Sequence, residues 1–267
     1  MGKPFSMKKS VAGASHGYKN CQDSCRIETL NNDITLAAVA DGHGSAKCKY
    51  SDRGAEFAVK AFILVVKKLW EDVNNNQEDF IRLLRQRESA DLIQVIHNEW
   101  KNRIQQSSKA LKIVEEGDDS EVDPELFGTT RLGMVIAPTF VFALQIGDGD
   151  IMFVNNNGVK RVLDSPKFLG TETYSLSDSR PWEHAVTCFQ RIDIDSSSPY
   201  MFMMTTDGFA NSFMDNDQYL IACKSYFDTI KEYGPDTVKR QLFKWLTQTS
   251  ADGCGDDITF LAVGEVD

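Results

Sequence analysis

The chain has 267 residues, with 39 Asp and Glu against 29 Lys and Arg, and therefore a formal charge of −10. Its hydrophobic fraction of 42% and charged fraction of 25% are typical of a folded globular protein. The acid excess argues against nucleic acid as a partner and against an anionic membrane, because both need clustered Lys and Arg. Binding of hard cations remains open, since carboxylates are their usual ligands.

Short apolar runs predict strands, and apolar residues spaced three or four apart predict helices. In chain order they are a strand over 33–40, a helix from 51, a second helical region after 74–76, hairpins over 129–146 and 151–163, a strand over 200–205, helices around 220–230 and from 235, and a last strand over 258–263. Because the strands follow one another through hairpins and the helices come in blocks, this order favours antiparallel sheets covered by helices.

No apolar run approaches the length of a membrane span. The longest, 61–66, is far short of the ~18 residues required, and the first residues lack the apolar segment of a signal peptide. No linker or repeat divides the chain. We therefore predict a single cytoplasmic domain over 1–267 with no membrane contact, and leave its oligomeric state open.

Four aspartates share one position in the pattern. Asp41, Asp148, Asp207 and Asp256 each lie at the edge of an apolar strand and next to a glycine, and Asp23 lies in an early turn. One such Asp and Gly pair more often marks only a turn. Four of them at strand ends favour carboxylates aimed at a common point, where a cation would relieve their repulsion. Oxygen ligands of this kind suit Mg²⁺ or Mn²⁺.

Six motifs in order resemble the metal-dependent protein phosphatases of the 2C type over residues 23–263. They are Asn20-Cys21-Gln22-Asp23, Val39-Ala40-Asp41-Gly42-His43-Gly44, Phe127-Gly128-Thr129-Thr130, Ile146-Gly147-Asp148, Thr206-Asp207-Gly208-Phe209 and Asp256-Asp257-Ile258-Thr259. The compact bacterial branch of that family is the most similar, because its first motif reads Gln-Asp preceded by a histidine, as His16 is here.

The resemblance implies an α+β fold, a four-layer α-β-β-α sandwich of two antiparallel sheets flanked by helices. It also implies a centre of two divalent metal ions, Mg or Mn, with a third, weaker site. The ligands that it implies are Asp41, which bridges both ions, the Gly42 carbonyl, Asp207, Asp256, Asp23 as a ligand of the metal or of its water, and Asp148 at the third site.

The implied activity is hydrolysis of phosphoserine and phosphothreonine in protein substrates by a metal-activated water. His43 is the predicted general acid for the leaving group, since an unperturbed histidine titrates near working pH. The family's phosphate-binding arginine is replaced by Tyr18, so His16 and Lys19 are the predicted phosphate-binding residues.

Three other positions depart from the family pattern. Gln22 stands where some relatives have Glu, Asn211 where an acid can assist the third metal, and Asp257 where Asn is common. The polar segment 165–184 is interpreted as a loop near the active site that selects partners.

Three other functions compete with this prediction. The same fold without turnover would be a pseudophosphatase that binds phosphoproteins, although all of the core aspartates are present. The segment 13–17 fits the G-x-S-x-G pattern of a serine hydrolase, but an elbow needs a strand before it and a helix straight after it. A two-metal nucleotide phosphodiesterase usually adds histidine ligands, and the sequence has no histidine cluster.

Overall fold

The computed structural model describes residues 2–17, 20–31, 33–86, 90–111, 113, 120–164, 173–192 and 199–266. Within them, ten strands form two five-stranded antiparallel sheets with helices on their outer faces. This arrangement confirms the predicted α+β sandwich. No helix in the described ranges is long and apolar enough to cross a membrane.

Each sheet combines strands that are distant in the chain. The first sheet contains, in spatial order, β1 (Lys3–Val11), β10 (Ile258–Val266), β9 (Tyr200–Thr205), β6 (Asp150–Asn155) and β7 (Gly158–Arg161). The second contains β2 (Ser24–Leu30), β3 (Ile34–Ala40), β4 (Arg131–Ala137), β5 (Phe140–Ile146) and β8 (Val186–Arg191).

Helices cover the outer face of each sheet. The second sheet packs against α1 (Ser51–Asp72), α2 (Gln77–Gln86) and α3 (Ala90–Ser108), so the second helical region of the sequence consists of two helices. The first sheet packs against α5 (Asn216–Tyr233) and α6 (Pro235–Asp252), and a single turn, α4 (Asp207–Ala210), follows β9.

Side chains alternate between two layers of the core, as the period of a strand requires. On β4, Leu132 and Met134 point into the layer between the sheets, while Val135 points to the helical side. Gly133 also lies on the helical side, where a Cβ atom would come within 2.4 Å of the Phe62 ring of α1. The missing side chain therefore lets α1 lie close to the sheet.

The antiparallel order brings the predicted site residues to one end of the sandwich. Asp41 follows β3 and Asp148 follows β5, while Asp23 precedes β2, the neighbour of β3. In the other sheet, Asp207 follows β9 and Asp256 precedes β10, which is paired with β9. In an antiparallel sheet, the end of one strand lies beside the start of the next. All five positions therefore lie at the same end of the sandwich.

Candidate active site

A cavity of about 1010 Å³ opens at that end of the sandwich. Asp23 is absent from its lining, and Lys19 and Tyr18 lie outside the described residues. The predicted site residues that line the cavity are His16, Asp41, Gly42, His43, Asp148, Asp207 and Asp256.

The backbone at Asp41 is fixed by the segment that precedes β4. The Asp41 carbonyl accepts hydrogen bonds from Thr130 N at 2.8 Å and Thr129 Oγ1 at 2.7 Å, and Asp41 N donates to Thr130 Oγ1 at 3.1 Å. At the next residue, a Cβ atom on Gly42 would lie 2.6 Å from the carbonyl oxygens of Gln22 and Ser51. Glycine is therefore required here so that three segments of backbone can meet.

Asp23 is not part of the cavity lining, and one of its carboxylate oxygens has no hydrogen-bond partner. Its Oδ2 accepts from Thr206 Oγ1 at 2.8 Å, but its Oδ1 is buried without a hydrogen-bond partner. Burial raises the pKa of Asp23 well above its ordinary value, and the charge of Asp257 raises it further. A buried carboxylate oxygen without a partner is costly, and a cation or a cation-held water is a suitable partner for it.

Asp41 and Asp207 repel each other at the centre of the site. Burial raises the pKa of Asp41 well above its usual range, followed by the charges of Asp23 and Asp207. Burial, with the charge of Asp148, also raises the pKa of Asp207 to about 6. Asn211 Nδ2 donates to Asp207 Oδ2 at 2.9 Å, so its amide supports a carboxylate. A cation placed between these carboxylates would relieve their unfavourable interaction.

His43 extends from the same turn as Asp41. Its backbone N–H donates to the Gly128 carbonyl at 3.0 Å, which fixes the backbone of His43 at the cavity wall. Burial lowers the pKa of His43 below its ordinary value, against the opposing charges of Asp148 and Asp178. The sequence alone predicts a histidine that titrates near neutrality, and the structure shifts that titration downward.

His16 faces carboxylates on the opposite side of the cavity. Its Nδ1 lies 2.9 Å from Asp257 Oδ1 and its Nε2 lies 3.4 Å from Asp256 Oδ1. Asp257 also accepts from Gly13 N and Gln22 N, both at 2.6 Å. The aspartate that departs from the family pattern therefore joins the segment before β2 to the segment before β10.

The described part of the loop 165–184 forms another wall of the cavity. The rings of Tyr174 and His184 stack with their centroids 3.9 Å apart, and Ser177 and Asp178 line the cavity beside them. Residues 165–172 lie outside the described residues. The placement of 173–184 is in line with the predicted loop near the active site.

The charge of the lining suits divalent cations. Among the described residues that line the cavity, Lys47 is the one Lys or Arg. It faces a set of acids that would repel one another without cations. These acids are Asp41, Glu125, Asp148, Asp178, Asp207, Asp256 and Asp257. Together with the orphan oxygen of Asp23, this donor set fits hard divalent ions.

Sequence reasoning did not find some residues that support the site. Thr206 is hydrogen-bonded to Asp23, and Asp178 faces His43. The sequence could have indicated Thr206, since it directly precedes Asp207 at the end of a strand. No sequence pattern indicates Asp178, because its approach to His43 depends on how the loop 173–184 folds over the cavity.

The arrangement around Ser15 does not match a nucleophile elbow. In the described residues, a short 3₁₀ turn over Ala14–His16 takes the place of the α-helix that an elbow needs. The Ser15 hydroxyl donates to the Gly255 carbonyl at 2.6 Å, so it serves as a link between loops.

Comparison with known proteins agrees with the geometry. Residues 12–247 match the family model described as Protein phosphatase 2C. No curated protein matches the chain.

Several solved structures share the fold. A serine/threonine phosphatase of S. agalactiae is 18% identical, with 99% of this chain and 100% of that chain covered and a TM-score of 0.62. PppA, a key regulatory component of T6SS in Pseudomonas aeruginosa, is 14% identical, with coverage of 98% and 97% and a TM-score of 0.56. The catalytic domain of the phosphatase PstP, in complex with 2 manganese ions, is 13% identical, with coverage of 99% of both chains and a TM-score of 0.56. The family match spans most of the chain, and the chain therefore belongs to the protein phosphatase 2C family.

Proposed function

We propose that the protein is a metal-dependent phosphatase that hydrolyses phosphoserine and phosphothreonine in cytoplasmic protein substrates. The observation that carries the proposal is the convergence of Asp23, Asp41 and Asp207 at one cavity, where the buried Asp23 Oδ1 has no hydrogen-bond partner. Family membership supports the same reaction class.

The residues proposed to hold two Mg²⁺ or Mn²⁺ ions are those predicted from the motifs. Asp41, the Gly42 carbonyl and Asp23 come from the ends of strands in one sheet, and Asp207 and Asp256 from the ends of strands in the other. When bound, the ions would supply an acidified water and positive charge against the phosphoryl oxygens. Asp148, close enough to raise the pKa of Asp207, is the proposed acid of a third site.

His43 is proposed to give a proton to the departing serine or threonine oxygen. It lines the cavity beside Asp148 and Asp178, whose charges favour the protonated ring against the effect of burial. A phosphate dianion in the cavity would favour the protonated ring further. The roles of His16 and Lys19 in binding phosphate stay predictions, and the contacts of His16 with carboxylates point elsewhere.

The decisive experiment is hydrolysis of a phosphothreonine peptide by the protein with Mn²⁺, with a chelator, and as Asp207→Asn. We expect turnover that requires the metal and a loss of about 10³-fold in Asp207→Asn, because a charged ligand becomes neutral. Asp217→Asn is the matched control, since Asp217 is an exposed aspartate of α5 outside the cavity lining.

Two outcomes would contradict the proposal. A wild-type protein that binds Mn²⁺ and the phosphopeptide without hydrolysing it would be a pseudophosphatase. An Asp207→Asn variant that keeps the wild-type rate would remove the metal centre from the reaction.

A further inference from the structure

The imidazole of His16 lies between two neighbouring carboxylates at the mouth of the proposed metal centre. One ligand atom from each of His16, Asp256 and Asp257 can be chosen so that all three lie within 4.8 Å of one another. Asp256 is a predicted metal ligand, whereas neither the motif analysis nor the proposed function gives His16 a metal-binding role.

Asp257 determines which nitrogen of the ring carries hydrogen. Its Oδ1 already accepts from Gly13 N and its Oδ2 from Gln22 N, and its side chain is 4% exposed. A carboxylate that accepts from backbone amides is an acceptor toward His16 Nδ1 as well, at 2.9 Å. The hydrogen of a neutral ring therefore lies on Nδ1, and Nε2 keeps its lone pair.

The free nitrogen is directed at the metal ligand. Nε2 lies 3.4 Å from Asp256 Oδ1, so an ion bound by that carboxylate oxygen would have Nε2 beside it. A histidine that binds a metal usually donates its other N–H to a carboxylate, which fixes the ring and makes the ligating nitrogen more basic. Asp257, His16 and Asp256 have this order here.

The backbone around His16 is held against the end of α6 and the loop that supplies Asp256. Ser15 N donates to the Gly255 carbonyl at 2.9 Å, and Ala14 N donates to Ser250 Oγ at 3.0 Å. A Cβ atom on Gly13 would lie 2.4 Å from the Gly255 oxygen. This close packing positions the imidazole before any ion binds.

We propose that His16 Nε2 and the Asp256 carboxylate bind the same divalent cation, with Asp257 as the residue that orients the imidazole. This inference rests on the proposed metal centre and replaces the predicted phosphate-binding role of His16. Imidazole nitrogen binds transition-metal ions far better than it binds Mg²⁺, which prefers oxygen ligands. The site therefore selects Mn²⁺ over Mg²⁺.

The experiment measures metal binding without substrate. Metal-stripped protein is titrated calorimetrically with Mn²⁺ and with Mg²⁺, as wild type, His16→Gln and His184→Gln. His184 is the matched control, because it is a histidine on another wall of the cavity that stacks on Tyr174. We expect His16→Gln to weaken Mn²⁺ binding by about 10- to 100-fold and Mg²⁺ binding by less than about 2-fold, with no change in His184→Gln.

A spectroscopic readout identifies the nitrogen directly. Electron spin echo spectra of protein with half an equivalent of Mn²⁺ should show modulation from a coordinated ¹⁴N, which disappears in His16→Gln and persists in His184→Gln. Asp257→Asn keeps the shape of the side chain and one oxygen acceptor, while its amide N–H₂ group cannot accept from the second backbone amide. The folded variant should retain the modulation with weaker Mn²⁺ binding, which separates loss of the ligand from loss of the residue that orients it.

Three results would overturn the proposal. The first is a wild-type spectrum without nitrogen modulation, and the second is an equal loss of Mn²⁺ and Mg²⁺ affinity in His16→Gln. The third is unchanged metal affinity in His16→Gln with weaker calorimetric binding of inorganic phosphate, which would return His16 to the phosphate-binding role. The titrations and spectra measure metal binding without turnover. They therefore test the role of His16 even if the protein does not hydrolyse phosphopeptides.

Discussion

Asp257 and the acids around Asp41 belong to the same site but differ in their hydrogen-bond partners. On the Asp257 side, which comprises Gly13, His16, Gln22 and Asp257, both carboxylate oxygens accept hydrogen bonds from the protein. In the Asp41 group, which comprises Asp23, Asp41 and Asp207, burial is the main cause that raises each pKa, and the charges of neighbouring acids add to it. The protein itself supplies hydrogen-bond partners to the first side, whereas the second is the side proposed to bind cations. The difference separates an aspartate that joins segments of the chain from aspartates proposed to hold the metal ions.

Asp41→Asn gives the largest expected effect and separates activity from stability. Hydrolysis of a phosphothreonine peptide should fall by about 10³-fold, because a charged metal ligand is lost. Unfolding of the metal-free variant in urea should need at least as much denaturant as the wild type, since one repelling charge is gone. A destabilised variant that keeps its activity would place Asp41 on the structural side of the comparison.

Asp257→Ala should have the opposite effect to Asp41→Asn, because its main consequence should be a loss of stability. Gly13 N, Gln22 N and His16 Nδ1 lose their acceptor, and we expect the free energy of unfolding to fall by about 3 kcal/mol. Urea unfolding of the metal-free protein measures it. Asp252→Ala on the exposed end of α6 is the control and should stay within about 0.5 kcal/mol. A similarly small change at Asp257 would end the contrast.

His43→Ala tests a residue beside the Asp41 group that is proposed as the general acid and not as a metal ligand. Hydrolysis of phosphothreonine should slow by about 10²-fold, whereas an activated aryl phosphate, whose leaving group needs no proton, should be nearly unaffected. Rates for both substrates with Mn²⁺ provide the measurement. Equal losses on the two substrates would remove His43 as the general acid.

The pH dependence of metal-free stability should be the smallest of these effects. The native Asp207 binds its proton with a pKa of about 6, against about 3.9 in the unfolded chain. Between these values the native state holds more protons, so stability falls as the pH rises from about 4 to about 6. The urea midpoint at several pH values checks the slope, which saturating Mn²⁺ should remove. A midpoint that rises over this range would contradict the charge repulsion inferred for the Asp41 group.

The strands that carry the site were predictable because they are buried on both faces. β3, β5 and β9 read as continuous apolar runs, and each ends at the aspartate that the pattern singled out. The edge strands β1, β2 and β8 did not stand out, since exposed and half-buried positions interrupt their apolar residues. A pattern of apolar residues identifies the buried strands, whereas the edge strand β7 was predicted as the second arm of a hairpin with β6.

The direction of side chains was beyond the sequence. His16 and Asp257 are 241 residues apart, and no local pattern indicates that their side chains meet. The same holds for Thr206 and Asp23, at a separation of 183. Residue type at a strand end predicts a metal centre, whereas the partner of each carboxylate depends on how the two sheets align.

The pairing of the first strand with the last has a consequence for biosynthesis. β1 is hydrogen-bonded along its length to β10, and the bonds of Asp257 span up to 244 residues. During translation, the segment around His16 leaves the ribosome long before β10 exists, so the nascent chain cannot assemble the cavity. Contacts of such long range form slowly. Assembly of the cavity is therefore a late step in folding, because β10 must first be synthesised and inserted between β1 and β9.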